Sequence, residues 1–257
     1  MLKLLIENPI LNILSFFYFL TSNLGLSIIL LTILIKVVLF PFMVPTFKNM
    51  KKQKALKPQL DALKEKYKED KKKITEEQMK LFKEHGINPT SGCLTQIVTI
   101  FVLIGLYQVI QRFVSTTNLS EINADIYFQY LHFKSLDLNF LGQSLSNPDM
   151  TYILPVIAGV ATLITSMMML PEISLEEKIV KKTTKDPMEE MAYSMQTQMT
   201  IIAPIMTFYF GLTLNAGVSL YIAVSSILTI IQQYILLGNF GGVVPYTKLI
   251  KRKLFKK

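Results

Sequence analysis

The chain has 257 residues, 51% of them hydrophobic, and a mean hydropathy of +0.39. That is more apolar surface than one soluble core can bury, and its apolar runs reach bilayer-spanning length, so the soluble globular classes are excluded. The net charge of +9 is gathered in a few segments, which makes membrane orientation its first use and a polyanionic partner its second. A single cysteine, Cys93, leaves no internal disulfide to form.

Residues 1–23 join Lys3 to an apolar stretch that superficially resembles a secretory signal. Glu7, Asn8 and Pro9 interrupt it, and no small-x-small cleavage site follows Leu20. Asn8, Asn12 and Ser15 form one helical stripe opposite Ile10, Leu11, Leu14, Phe17 and Phe19, which predicts an amphipathic helix lying in the interface. An uncleaved extra span and a signal anchor stay open beside it. No cysteine near the N-terminus offers a lipoprotein anchor.

Residues 24–47 form the first expected span, with Lys36 near its middle among Leu34, Ile35, Val37, Val38 and Leu39. A cation there costs about 2.5 to 3.5 kcal/mol on insertion scales, so it marks a functional site by default. The bland reading is a lysine that snorkels to the interface or is carried uncharged. Pro41 and Pro45 lie near the exit of the span.

Residues 48–92 follow as a lysine-rich segment that the positive-inside bias places in the cytoplasm. Leu56, Leu60, Leu63 and Tyr67 recur at helical spacing, with Pro58 as a kink or helix start. Thr75 and Gln78 read as a capping box, with Ile74 and Met79 as its staple, and Gly86 and Pro89 close the second helix. The expectation is an antiparallel helical hairpin joined by the charged turn 69–73. A solvated face accounts for most of its lysines. A whole basic hairpin beside a membrane exit points further, to anionic lipid or ribosomal RNA, through Lys48, Lys51, Lys52, Lys71, Lys72 and Lys73.

Residues 93–113 are the second span, with Gln96 and Thr99 among its polar positions and Arg112 at its far end, a minor breach of the charge bias. Residues 114–150 hold four acids and one lysine, Lys134, so they are expected outside, with Tyr127, Phe128 and Tyr130 suited to headgroups. His132 has no second histidine or cysteine nearby, so no metal site is expected. Residues 151–171 return inside as the third span, 172–198 form a mixed-charge loop, and 199–237 hold the fourth and fifth spans around the tight turn Asn215, Ala216, Gly217. The tail 238–257 carries Lys251, Arg252 and Lys253, which joins the hairpin lysines as a polyanion contact and puts the C-terminus inside, the N-terminus outside.

None of the five spans contains Asp or Glu, so Lys36 lacks an intramembrane carboxylate from its own chain. Thr32, Gln96, Thr99, Ser225, Thr229 and Gln232 are available as a polar lining, although such residues commonly act as interhelical glue. Taken together around a cation, they point to a hydrated groove. There is no nucleophile elbow, no His-Glu-x-x-His and no phosphate loop, so no enzyme and no cofactor is expected.

The lone cation of the first span, Phe40-Pro41-Phe42, the basic hairpin, the run Asn88-Pro89-Thr90-Ser91-Gly92-Cys93, and Ala216, Gly217, Leu220, Tyr221, Gln232 and Gln233 together resemble the YidC/Oxa/Alb membrane protein insertases. The resemblance covers the chain from about Asn8 to the tail. It implies an all-α integral membrane fold: five transmembrane helices around a hydrophilic groove, an interfacial N-terminal helix and a cytoplasmic helical hairpin. It also implies insertase function, with Lys36 in the place of the groove's usual Arg and with Thr32, Tyr221, Thr229 and Gln232 at groove positions. The chain departs from the family's common residues at Thr95, Thr99, Phe101 and Asn215. Implied partners are nascent membrane proteins, the ribosome, a Sec translocon, a targeting receptor and membrane lipids, with the monomer as the working unit in a bacterial plasma membrane. A small channel or lipid scramblase using the same groove, and a scaffold that only docks partners, are the competing classes.

Overall fold

The computed structural model describes residues 3–67, 70–87, 91–115, 118–169 and 187–237. After a short π-helical turn, Lys3–Glu7, the helices are α1 (Asn8–Thr21), α2 (Leu24–Ala55), α3 (Lys57–Lys66), α4 (Lys71–Glu84), α5 (Ser91–Ser115), α6 (Leu119–Asn123), α7 (Ile153–Met169), α8 (Pro187–Thr213) and α9 (Ala216–Leu237). A two-stranded hairpin, β1 (Asn139–Phe140) and β2 (Gln143–Ser144), is the sole sheet among the described residues. The fold is all-α and membrane-embedded. Lys3–Thr21, Leu24–Gln53, Ile97–Val114 and Ala216–Leu236 are long and apolar enough to cross a bilayer, and Ile153–Met168 and Thr200–Thr213 are shorter apolar helices. At 1.5 Å per residue the shorter pair measure roughly 21–24 Å against a hydrocarbon layer of about 30 Å.

The chain divides into two compact units, Met1–Phe40 with Leu94–Thr162 and Pro204–Thr229, and Pro41–Cys93 with Leu163–Ala203 and Ile230–Lys257. In the first, Leu11 and Leu14 of α1, Ile28 and Leu31 of α2, Leu106 and Ile110 of α5 and Val218 of α9 close one apolar core with Leu145 of the α5–α7 connection. The polar stripe of α1 turns into this unit rather than toward water or headgroups. Asn12 donates to the Asp125 carbonyl at 3.0 Å and accepts from Tyr127 N at 2.7 Å, and Ser15 donates to the Leu131 carbonyl. Ile10, Leu11 and Leu14 are buried as well, while Phe16, Phe19 and Leu20 are exposed. The polar stripe of α1 thus meets the backbone of the α5–α7 connection, which needs donors and acceptors as much as water does.

The same connection caps other helices. Asn147 and Leu145 carbonyls accept from Ala216 N and Gly217 N, and the Asn215 side chain donates to the Ser146 carbonyl while accepting from Gln111 at 3.3 Å. These bonds satisfy N–H groups that open α9, which no intrahelical carbonyl can reach. At the start of α7, Asp149 accepts from Thr151 N and Leu154 N, both at 2.8 Å.

In the second unit α2 runs on unbroken through Pro41 and Pro45 to Ala55, eight residues past the expected exit at residue 47. Helix α3 starts as expected, with Pro58 in its first turn. The expected capping box at Thr75 is corrected: Asp70 caps α4, its carboxylate accepting from Lys73 N at 3.0 Å, and Thr75 lies inside the helix. Both Asp and Thr suit a cap. The earlier start adds a turn that buries Ile74. Gly86 ends α4 at φ +60, with Gly86 N donating to the Lys83 carbonyl and Ile87 N to that of Phe82. That is a Schellman close, and Ile87 and Phe82 are buried in one small core with Leu56.

Candidate functional site

Lys36 stands on α2 about 18 Å along the helix axis from Leu24. Its ammonium donates to Thr229 Oγ1 of α9 at 2.8 Å, and that hydroxyl donates in turn to the Ser225 carbonyl at 2.7 Å. One turn earlier on α9, Tyr221 is buried and its hydroxyl meets Ser225. Tyr221, Ser225 and Thr229 repeat every fourth residue and so share one helical stripe, of which Thr229 meets Lys36. Thr32 lies one turn before Lys36 on the same face of α2, fully buried, with its hydroxyl returned to the Ile28 carbonyl at 2.6 Å. The neighbouring Val37 and Val38 are exposed, so the cation lies beside an outward apolar face. Thr99 is half-buried on α5. Gln232 is buried one turn beyond Thr229, in the second unit, and the Gln96 side chain lies outside the described residues.

The arrangement is a cation on a neutral acceptor. Such a bond orients the ammonium.

A second ionic cluster gathers where α5 ends. Arg112 donates to Glu7 at 2.8 Å, to Asp125 at 2.6 Å and to the Glu121 carbonyl at 3.2 Å, and Lys3 meets Asp125 at 2.9 Å. Burial pushes the Asp125 carboxyl up, but hydrogen bonds and charge from Lys3 and Arg112 outweigh it and hold the group below the usual carboxylate range. Asp149 is likewise held low, its desolvation outweighed by the Thr151 hydroxyl and the backbone N–H groups of Leu154 and Thr151.

A family model described as 60Kd inner membrane protein matches residues 16–241. The chain belongs to the YidC/Oxa/Alb membrane protein insertase family. The membrane protein insertase YidC of Fusobacterium nucleatum is 30% identical over 216 residues, 84% of this chain and 87% of that protein. The membrane protein insertase MisCA of Bacillus subtilis is 33% identical over 221 residues, 84% of this chain and 71% of that protein. In the longer membrane protein insertase YidC of Pelobacter propionicus the match is 32% over 228 residues, 89% of this chain but 38% of that protein.

In this YidC/Oxa/Alb chain the described lysines of the expected polyanion contact lie on two helices. Lys48, Lys51 and Lys52 are exposed on the last turns of α2, whereas Lys72 and Lys73 are exposed at the start of α4. Lys52 is committed within the chain, donating to the His85 carbonyl at 3.2 Å where α4 ends. The Lys73 ammonium lies 5.5 Å from the Tyr67 ring centroid, and that of Lys66 lies 5.2 Å from it. The Lys71 side chain, Lys251, Arg252 and Lys253 lie outside the described residues. Sequence reasoning missed the Arg112 cluster. Its signal was present as an arginine at the end of one apolar run and a glutamate, Glu7, that breaks another.

Proposed function

We propose that this chain is a membrane protein insertase that moves short hydrophilic client segments through a hydrated, positively charged groove and releases apolar helices into lipid. The observation that carries the reading is the Lys36–Thr229 bond, a cation in a membrane-length helix held by a neutral hydroxyl. Water along the Lys36, Thr229, Ser225 and Tyr221 stripe lowers the cost of bringing a client's polar tail into the hydrocarbon layer. Lys36 attracts acidic residues of that tail, and Thr32, Gln96, Thr99 and Gln232 complete the lining. A fixed salt bridge would trap the client, whereas a hydroxyl partner lets the site empty.

On this reading residues 24–47, 93–113 and 151–171 and two segments within 199–237 span a bacterial plasma membrane, with the N-terminus outside. Residues 48–92 and 238–257 face the cytoplasm. The lysines of α2's end and of α4 meet ribosomal phosphate or anionic lipid, a Sec translocon and a targeting receptor cooperate, and one copy suffices. The names of the relatives, all membrane protein insertases, support the function class.

The test is an insertion assay in vesicles containing only this protein, with a single-span client whose tail carries acidic, neutral or basic residues. Protection of the tail from protease, dependent on Lys36 and strongest for the acidic tail, is expected. Ion or lipid flux without tail protection identifies a channel or scramblase instead.

A further inference from the structure

We propose that the hairpin Asn139–Ser144 is a lipid-inserting finger. Its tip residue, Leu141, occupies the headgroup layer of the leaflet at the Leu24 end of α2, and Met150 and Tyr152 make a second contact with the same layer just before α7.

The first argument is backbone conformation. Phe140 pairs with Gln143, leaving the two-residue loop Leu141–Gly142 with φ of +49 and +81. Positive φ at both positions is the type I′ pattern, for which Asn-Gly or Gly-Gly is the ordinary choice. Leucine there costs about 1–2 kcal/mol of steric strain. Its side chain is 84% exposed, so no packing against the described residues offsets that strain. Tyr152 repeats the anomaly, at φ +59 and 57% exposed, beside Met150 at 80%. Large apolar side chains on strained turns need a partner outside the chain.

The second argument is charge. From Leu138 to Ile153 the sequence has one side chain that is charged at neutral pH, Asp149, and it is buried and engaged with Thr151 and Leu154. The stretch thus shows no exposed charge to an ionic partner, while amides, hydroxyls and apolar tips match the mixed polarity of a lipid interface.

The third argument is position. Phe140 packs over Gly25 at the start of α2, and Leu145 and Asn147 accept from the first N–H groups of α9. The hairpin is therefore rooted on the ends of two helices of membrane-spanning length, which mark the edge of the hydrocarbon. Two-residue strands at about 3.3 Å per residue reach roughly 7 Å, close to the depth of the polar layer on one side of a bilayer. Whichever way it leans, the tip stays within that layer. Beyond Tyr152 the exposed apolar surface continues directly into α7 through Ile153, Val156 and Val160.

The chain contains no tryptophan, so Leu141→Trp installs a single indole at the tip that can be excited apart from the tyrosines. The full chain is reconstituted into phosphatidylcholine–phosphatidylglycerol vesicles, with or without bromine on the upper acyl chain, and acrylamide serves as the aqueous quencher. Blue-shifted emission, loss of most of it to brominated lipid and protection from acrylamide are expected, relative to Ser135→Trp on the same connection. Emission as red as that of Ser135→Trp, and as open to acrylamide, overturns the proposal. It is also the outcome for a surface kept for a protein partner, since the vesicles contain none. Tyr152→Trp, an aromatic replacement at the second strained position, carries the same measurement if Leu141→Trp does not fold.

Discussion

Lys36 and Thr229 lie 193 residues apart in sequence and 2.8 Å apart in space. The bond joins α2 to α9 through one hydroxyl, which also donates to the Ser225 carbonyl. A hydrogen bond to a charged group contributes about 1.5–3 kcal/mol, and a competing carboxylate exceeds it. Lys36→Ala is therefore expected to lower insertion of an acidic-tailed client about tenfold, the equivalent of ~1.4 kcal/mol. Lys36→Arg should remain near the parent and Lys36→Glu should fail most with acidic tails. Thr229→Val, which keeps the shape and removes the acceptor, is expected to cost severalfold. Protease protection of the client tail reads all four, and equal activity across them would remove Lys36 from the mechanism.

Arg112 ties three parts of the chain together, since Glu7 precedes α1, Asp125 follows α6 and the arginine itself ends α5. Breaking a buried pair by removing one partner costs about 3–5 kcal/mol. These side chains retain some exposure, 22% for Arg112 and 10% for Glu7, so about 2 kcal/mol is expected for Arg112→Ala after allowing for solvent screening. Arg112→Lys should recover little, because a point charge cannot bridge two carboxylates as the guanidinium fork does. Thermal unfolding in micelles measures the loss. The Arg112→Ala, Glu7→Gln double variant should fall less than the sum of the singles.

Acid stability follows from two carboxylates outside the spans. Asp125 and Asp149 are both held below their ordinary value in the folded chain. Each contributes stability that is fully present above the unfolded carboxylate value of about 4 and disappears as pH falls through the lower folded value. The unfolding temperature is expected to be level from neutral pH to about 4 and to drop below it. Asp125→Asn and Asp149→Asn should each start lower at neutral pH and flatten the acid limb. An acid limb identical in both variants and the parent would place the titration elsewhere.

Local chemistry was legible in the sequence and long-range pairing was not. Pro58 and Gly86 mark a helix start and stop through their own backbone limits, and both sit where those limits require. Thr75 misled because Asp70, five residues earlier, carries the same capping chemistry and adds a turn. The α1 stripe announced one polar face, but pattern alone does not distinguish water from the carbonyls of residues 125 and 131. Arg112 looked like a stray charge because its partners lie 105 and 13 residues away. For Lys36 the cost of burial was readable from its neighbours. The identity of its acceptor needed the fold.

Gly25 provides the sharpest test of how the α5–α7 connection is held. In an ordinary helix Gly→Ala is stabilising by about 1 kcal/mol, since alanine loses less backbone freedom on folding. Here a Cβ on Gly25 overlaps the ring of Phe140. The ring is rigid and its strand is pinned by the pairing of β1 with β2, so it cannot step aside alone. Overpacking of this kind typically costs about 1–3 kcal/mol. Gly25→Ala is therefore expected to lower the unfolding temperature in micelles, reversing the helix-propensity sign. Adding Phe140→Ala opens the space the new methyl needs, so the double variant should be more stable than Phe140→Ala alone. A stabilising Gly25→Ala in the parent background would mean that the hairpin does not rest on α2.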